Sequence, residues 1–148
     1  MNILFDLDGT LCDTPAGVDY DDPASLLGAC TPRARVLERL HDLAALDHNL
    51  GVVTARGPHV SDITKAQLRR WLGPLAERLV VRHRPRLTFD WGDYVVDKQR
   101  SIRELGCDVY VGDRAEDKAA ALRAGALFLW DHEFEATGLL SLRREVPA

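Results

Sequence analysis

Short apolar runs alternate with amphipathic stretches along this chain. Five runs are continuous and mostly rich in β-branched residues: Asn2–Phe5, Leu50–Val53, Leu79–Val81, Val109–Val111 and Leu127–Trp130. Continuous apolar runs of this length mark strands covered on both faces, because a strand with one wet face alternates polar and apolar positions. Helical patterns lie between them. Thr31-Pro32 offers a capping hydroxyl and then proline for the first helical position, and Leu37, Leu40 and Ala44 follow at helical spacing to about Leu46. A second helix runs from about Val60 to Leu72, with Leu68, Trp71, Leu72 and Leu75 along one stripe, and stops at Gly73-Pro74. A third runs from about Lys98 to Leu105, before Gly106, and a fourth from about Ala115 to Ala124, before Gly125. The tail from about Glu135 suits one more short helix. Strand and helix in alternation predict an α/β fold of three layers, its mostly parallel central sheet of about five strands joined by right-handed crossovers. In such a sheet ligands bind beyond the carboxyl ends of the strands. There is no internal repeat, low-complexity segment or linker, so residues 1–148 are expected to form one domain.

Composition narrows this picture only slightly. With 148 residues, 46% hydrophobic and 28% charged, a packed core is expected and disorder is not. No apolar stretch approaches the ~20 residues that span a bilayer. No basic segment followed by a long apolar one marks a signal peptide, and no membrane partner is expected. Three scattered cysteines, Cys12, Cys30 and Cys107, argue against a disulfide framework and for a reducing, cytoplasmic setting. A net charge of −4 does not announce a nucleic-acid binder. The charges are uneven, however. Asp6, Asp8, Asp13, Asp19, Asp21 and Asp22 crowd the start of the chain, and arginines crowd Arg82-His83-Arg84-Pro85-Arg86.

The residues that follow each strand carry the chemistry. Asp6 and Asp8 follow the first, Thr54, Ala55 and Arg56 the second, and Asp113, Arg114 and Asp117 the fourth; Lys98 opens the third helix. Two carboxylates one residue apart at the end of a buried strand repel each other and lose hydration together. A divalent cation removes that conflict. Mg²⁺ takes oxygen ligands and keeps several waters, so Asp6 and Asp113 would supply carboxylates and Asp8 its backbone carbonyl. One oxygen of Asp6 can then face phosphorus as a nucleophile, with Asp8 placed to act as general acid and then base. Thr54 and Lys98 would hold the phosphoryl oxygens, and Gly9 allows the tight turn that continues into Thr10. Plainer roles exist for each: turn residues for Asp6 and Asp8, a helix cap and first-turn charge for Asp113 and Asp117, a strand-end hydroxyl for Thr54.

Asp6-Leu7-Asp8-Gly9-Thr10, Val52-Val53-Thr54, Lys98 and Gly112-Asp113-Arg114-Ala115-Glu116-Asp117 resemble, in order, the four motifs of the haloacid dehalogenase superfamily phosphatases. The resemblance spans nearly the whole chain. It implies a Rossmann-like core, Mg²⁺ and an aspartyl-phosphate intermediate, with Asp117 in a supporting role.

Many members carry a cap domain after the first motif or between the second and third. Leu11 to Thr31 and Arg82 to Asp97 are too short for one, so an open catalytic edge is expected. An open edge suits a phosphate on a large partner. The chain further resembles the phosphatase half of bacteriophage polynucleotide kinase–phosphatases, in Asp21-Asp22, Val52 to Arg56, the helix from Thr64-Lys65 to Arg70-Trp71, Asp93 to Val96, and Asp113-Arg114. That resemblance implies 3′-phosphates at DNA or RNA ends as substrate. It departs in the position of Lys98, in Ala55 and in the absence of a kinase half. Arg56 would grip a phosphate bidentately or pair with the acidic loop. Arg82, Arg84 and Arg86 would track a strand backbone or lie in a solvated loop. Trp91 or Trp130 would stack on a base or be buried. A small-molecule phosphatase, or a non-catalytic phosphate- or metal-binding module, are the competing expectations.

Overall fold

The computed structural model describes residues 1–144. In chain order the elements are β1 (Asn2–Phe5), β2 (Cys12–Asp13), α1 (Pro23–Leu27), β3 (Thr31–Pro32), α2 (Ala34–Ala45), β4 (Asn49–Val53), α3 (Ser61–Leu72), β5 (Val80–Arg82), α4 (Trp91–Glu104), β6 (Val109–Gly112), α5 (Ala115–Arg123), β7 (Leu127–Trp130) and α6 (Asp131–Thr137). Short 3₁₀ turns cover Pro58–Val60, Gly73–Arg78 and Gly138–Arg144.

The five predicted strands form one parallel sheet in the order β5-β4-β1-β6-β7. Alternation along each strand divides the core in two. Ile3, Phe5, Val109, Val111 and Leu129 face one layer, where Leu37 and Leu40 of α2, Leu68 and Leu72 of α3 and Phe134 of α6 cover them. Leu4, Tyr110 and Phe128 face the other layer, against Ile102 of α4 and Ala120 and Ala121 of α5. Burial on both faces explains why the strands read as unbroken apolar runs. Burying each of these larger side chains contributes about 1.5–3 kcal/mol.

The local boundaries differ from the sequence pattern in three places. Thr31-Pro32 does not open a helix. It pairs antiparallel with Cys12-Asp13, and the Arg33 N–H goes to the Leu11 carbonyl, so α2 starts at Ala34. α4 starts seven residues before Lys98, because Asp90 caps it by accepting the Gly92 and Asp93 N–H groups. Lys98 therefore sits inside the helix, not at its start. The tail helix, expected from about Glu135, is α6 and begins at Asp131; residues 145–148 lie outside the described residues.

Between β1 and α2 the chain builds only the β2–β3 hairpin and the one-turn α1, capped by Asp22. Among the described residues no large cap stands over the carboxyl ends of the strands. Among the described residues no helix is long and apolar enough to cross a membrane.

Candidate active site

β1 lies at the centre of the sheet, with β4 and β6 on either side. The residues that leave these three strands therefore meet at one rim. Asp6 continues the ladder through its N–H, which donates to the Val111 carbonyl at 2.9 Å. Its buried carboxylate accepts from Lys98 Nζ at 3.0 Å. The same ammonium donates to Asp117 Oδ1 at 2.7 Å and to the Tyr94 hydroxyl at 2.9 Å. Tyr94 in turn donates to Asp117 Oδ1 at 2.6 Å. The other oxygen of Asp117 accepts the N–H groups of Asp113 and Arg114, at 3.3 and 3.2 Å. Asp117 thus holds the start of α5 and neutralises Lys98 at once.

The charges follow from this packing. Burial pushes the Asp6 carboxyl well above its usual range; the Asp117 charge adds to that and Lys98 opposes it. Burial also raises Asp113. For Asp117 burial acts upward too, but the Lys98 ammonium and its hydrogen bonds hold it below the ordinary value. Burial alone would lower Lys98; Asp117 and then Asp6 carry it well above the usual lysine range. Asp6 and Asp117 thus share one ammonium. Asp6, Asp113 and Asp117 each present an oxygen within 4.8 Å of the others, and Asp113 Oδ1 is buried with no hydrogen-bond partner among the described residues. Gly9 makes the approach possible. Its φ is +83°, and a Cβ there would run into the Asp113 carboxylate.

Asp8 has a different environment, although it is only two residues away. Arg56 meets it with two parallel bonds, Nε to Oδ2 at 2.9 Å and Nη2 to Oδ1 at 2.8 Å. The remaining nitrogen of Arg56 donates to Gln67 Oε1 at 2.6 Å and Thr64 Oγ1 at 3.2 Å. Arg56 is 0% exposed. The Thr14 hydroxyl adds a third bond to Asp8, at 2.7 Å. The guanidinium therefore serves the second aspartate, a role the sequence reading did not offer for it. Thr54 is buried beside it, its hydroxyl accepting the Arg56 N–H at 3.1 Å. The Thr10 hydroxyl is also buried, with no partner among the described residues.

The three clustered arginines are all engaged within the chain. Arg82 pairs with Glu104 at 2.7 Å. Arg84 is buried and meets both oxygens of Asp21 at 3.1 Å, while also donating to the carbonyls of Ala55, Arg86 and Leu87. Arg86 meets Asp97 at 3.0 Å and Asp93 at 3.6 Å. Trp130 ends the edge strand β7, in register with Gly112, and packs edge-on against Phe128.

A cleft of about 280 Å³ opens beside Asp6 and Asp8, and Ala55, Arg56, Trp91, Tyr94 and Arg114 help to line it. Tyr94 and Arg114 received no role from the sequence. Tyr94 lies one helical turn before Lys98, so Asp90 read as a cap would have placed both on one face.

The sequence matches no protein-family model and no curated protein. Among solved structures the chain is similar to the crystal structure of an uncharacterized protein from Listeria monocytogenes serotype 4b. The TM-score is 0.65 and the identity 17%, over 87% of this chain and 76% of that one. At that identity the likeness concerns the fold alone.

Proposed function

We propose that this protein is a Mg²⁺-dependent phosphomonoesterase of the haloacid dehalogenase type, acting through Asp6. One observation supports this above the rest: two carboxylates two residues apart meet at one cleft, each held by its own cation. Asp6 lies in a buried acidic cluster with Lys98, and Asp8 is held by Arg56 at the cleft. Different partners, an ammonium for Asp6 and a guanidinium for Asp8, are a means of giving two neighbouring carboxylates separate roles.

The residues fit a divalent cation. The orphaned buried oxygen of Asp113 and the clustered oxygens of Asp6 and Asp117 are an all-oxygen donor set with excess negative charge. Asp6, Asp113 and the Asp8 backbone carbonyl would hold Mg²⁺, with Asp117 in support. Bound there, Mg²⁺ would offset charge on the carboxylates and on the phosphoryl oxygens.

The chain's own groups do the rest. A carboxylate oxygen of Asp6 attacks phosphorus as the ester P–O bond breaks. Asp8, protonated, gives its proton to the departing alcohol oxygen. Asp8 then takes a proton from water as that water attacks the aspartyl-phosphate, which frees phosphate and restores Asp6. Lys98 keeps Asp6 oriented, and Arg56 keeps Asp8 in position.

A 3′-phosphorylated DNA or RNA end is the preferred substrate, supported by the uncapped edge and by the sequence resemblance. A small phosphate ester is the second reading, favoured because Arg82, Arg84 and Arg86 already have carboxylate partners. Replacing Asp6 with asparagine should abolish hydrolysis of an aryl phosphate in Mg²⁺; undiminished turnover would remove Asp6 as the nucleophile, and no turnover by the wild type would leave a non-catalytic binding module. A 3′-phosphorylated oligonucleotide should be processed with higher kcat/KM than a mononucleotide, and the reverse order would support the small ester.

A further inference from the structure

One wall of the cleft is aromatic, and the phosphoryl chemistry makes no use of it. Phe89 and Trp91 are 42% and 49% exposed despite their size. Their rings meet edge to face at 5.0 Å, and Tyr94 lies 5.7 and 5.5 Å from them. Tyr94 also holds Lys98 and Asp117, so the wall is tied directly to the acidic cluster. The Arg114 guanidinium stands 5.2 Å from the Trp91 ring centre. Of the cleft's three guanidiniums, Arg56 is held by Asp8 and Arg84 by Asp21, whereas Arg114 has no carboxylate at ion-pair distance among the described residues. Arg114 immediately follows Asp113, which puts a cation where the carboxylates give way to the rings.

We propose that this wall is a nucleobase subsite. The base of a nucleoside phosphate, or of the terminal nucleotide of a strand, stacks on Trp91 with the near-perpendicular Phe89 ring beside it, while Arg114 meets the phosphate. This rests on the phosphomonoesterase reading and names the alcohol side of the ester. Three features support it. A cleft of about 280 Å³ suits one nucleotide-sized group, not a length of strand. Asp19 also lines it with no cation at ion-pair distance among the described residues, so a further phosphate beside it would meet negative charge. Asp19 and Tyr20 are among the lining residues; a nucleobase has donors and acceptors at its edge that polar side chains can meet, and the phenyl ring of a phosphotyrosine has none.

The test reads binding, not turnover. Wild-type protein in EDTA is titrated with a nucleoside 3′-monophosphate, with the unphosphorylated nucleoside and with glycerol phosphate, followed by tryptophan fluorescence and calorimetry. The nucleotide should bind ~5- to 150-fold more tightly than glycerol phosphate, the range that one stacked base supplies. Trp91→Leu should erase that margin and Trp91→Phe should keep most of it. Phe89→Leu provides a second reading should Trp91→Leu not fold. Arg114→Gln should weaken the nucleotide but not the nucleoside. Equal affinity for nucleotide and glycerol phosphate, a margin unchanged in Trp91→Leu and Phe89→Leu, or tighter binding of a phosphotyrosyl peptide would each overturn the subsite. Because no step of the assay needs hydrolysis, loss of the base margin sinks the subsite alone, whereas absence of hydrolysis by the wild type sinks the enzyme reading.

Discussion

Replacing Arg56 with methionine should destabilise the protein by about 3 kcal/mol. The guanidinium is 0% exposed and makes two bonds to Asp8, one to Gln67 and one to Thr64. Methionine fills part of the volume and replaces none of these donors. Removing one partner of a buried ion pair costs about 3–5 kcal/mol, because the other charge is left without compensation. The Asp8 side chain keeps 13% of its exposure and can regain some hydration, which places the expected loss at the low end. For a chain of this size that lowers Tm by roughly 6–12 °C. Urea unfolding followed by tryptophan fluorescence should show a lower midpoint at unchanged slope. Asp8→Asn closes a double-mutant cycle, and a coupling of about 1.5–3 kcal/mol between the two positions is expected. A loss below about 1 kcal/mol, or an additive cycle, would refute the reasoning. In either case the guanidinium is not committed to Asp8, and the phosphate grip offered by the sequence becomes the better account.

Gly9→Ala should weaken Mg²⁺ binding by at least ~10-fold in calorimetry, because the added methyl displaces the Asp113 carboxylate; unchanged affinity would exclude Asp113 as a ligand. Tyr94→Phe removes a hydroxyl bonded to both Asp117 and Lys98 and should lower stability by about 1.5–3 kcal/mol in the same urea assay. His83 has its pKa depressed to about 4 by burial and then by the Arg56 charge, and its Nε2 is buried without a partner among the described residues. The unfolded chain therefore binds the extra proton first. The stabilisation is complete above about pH 6.5 and is lost as pH falls toward 4, by on the order of 1 kcal/mol once solvent screening is allowed for. His83→Gln should flatten that part of the stability profile, and an identical profile would remove His83 as the cause.

Much of the molecule was legible in the chain itself. Runs such as Val109–Val111 could only be strands covered on both faces, and turn residues after each run marked where the sheet edge would be. Parallel topology then carried Asp6, Thr54 and Asp113 to a common rim, because all three follow strands that point the same way. The helix around Lys98 was less legible. Its cap, Asp90, stands between Phe89 and Trp91 in a segment that reads as loop, and the apolar stripe is weak until the tertiary contacts of Ile102 are known.

What only the folded chain decided is the partnership of the charges. Arg56 reaches Asp8 across 48 residues, and Lys98 reaches Asp6 across 92. Arg84 takes Asp21, leaving Arg114 facing the cleft. Residue type states that a cation and an anion are available. Which pair forms depends on which charges lose their water together, and that is set by the packing of elements distant in sequence.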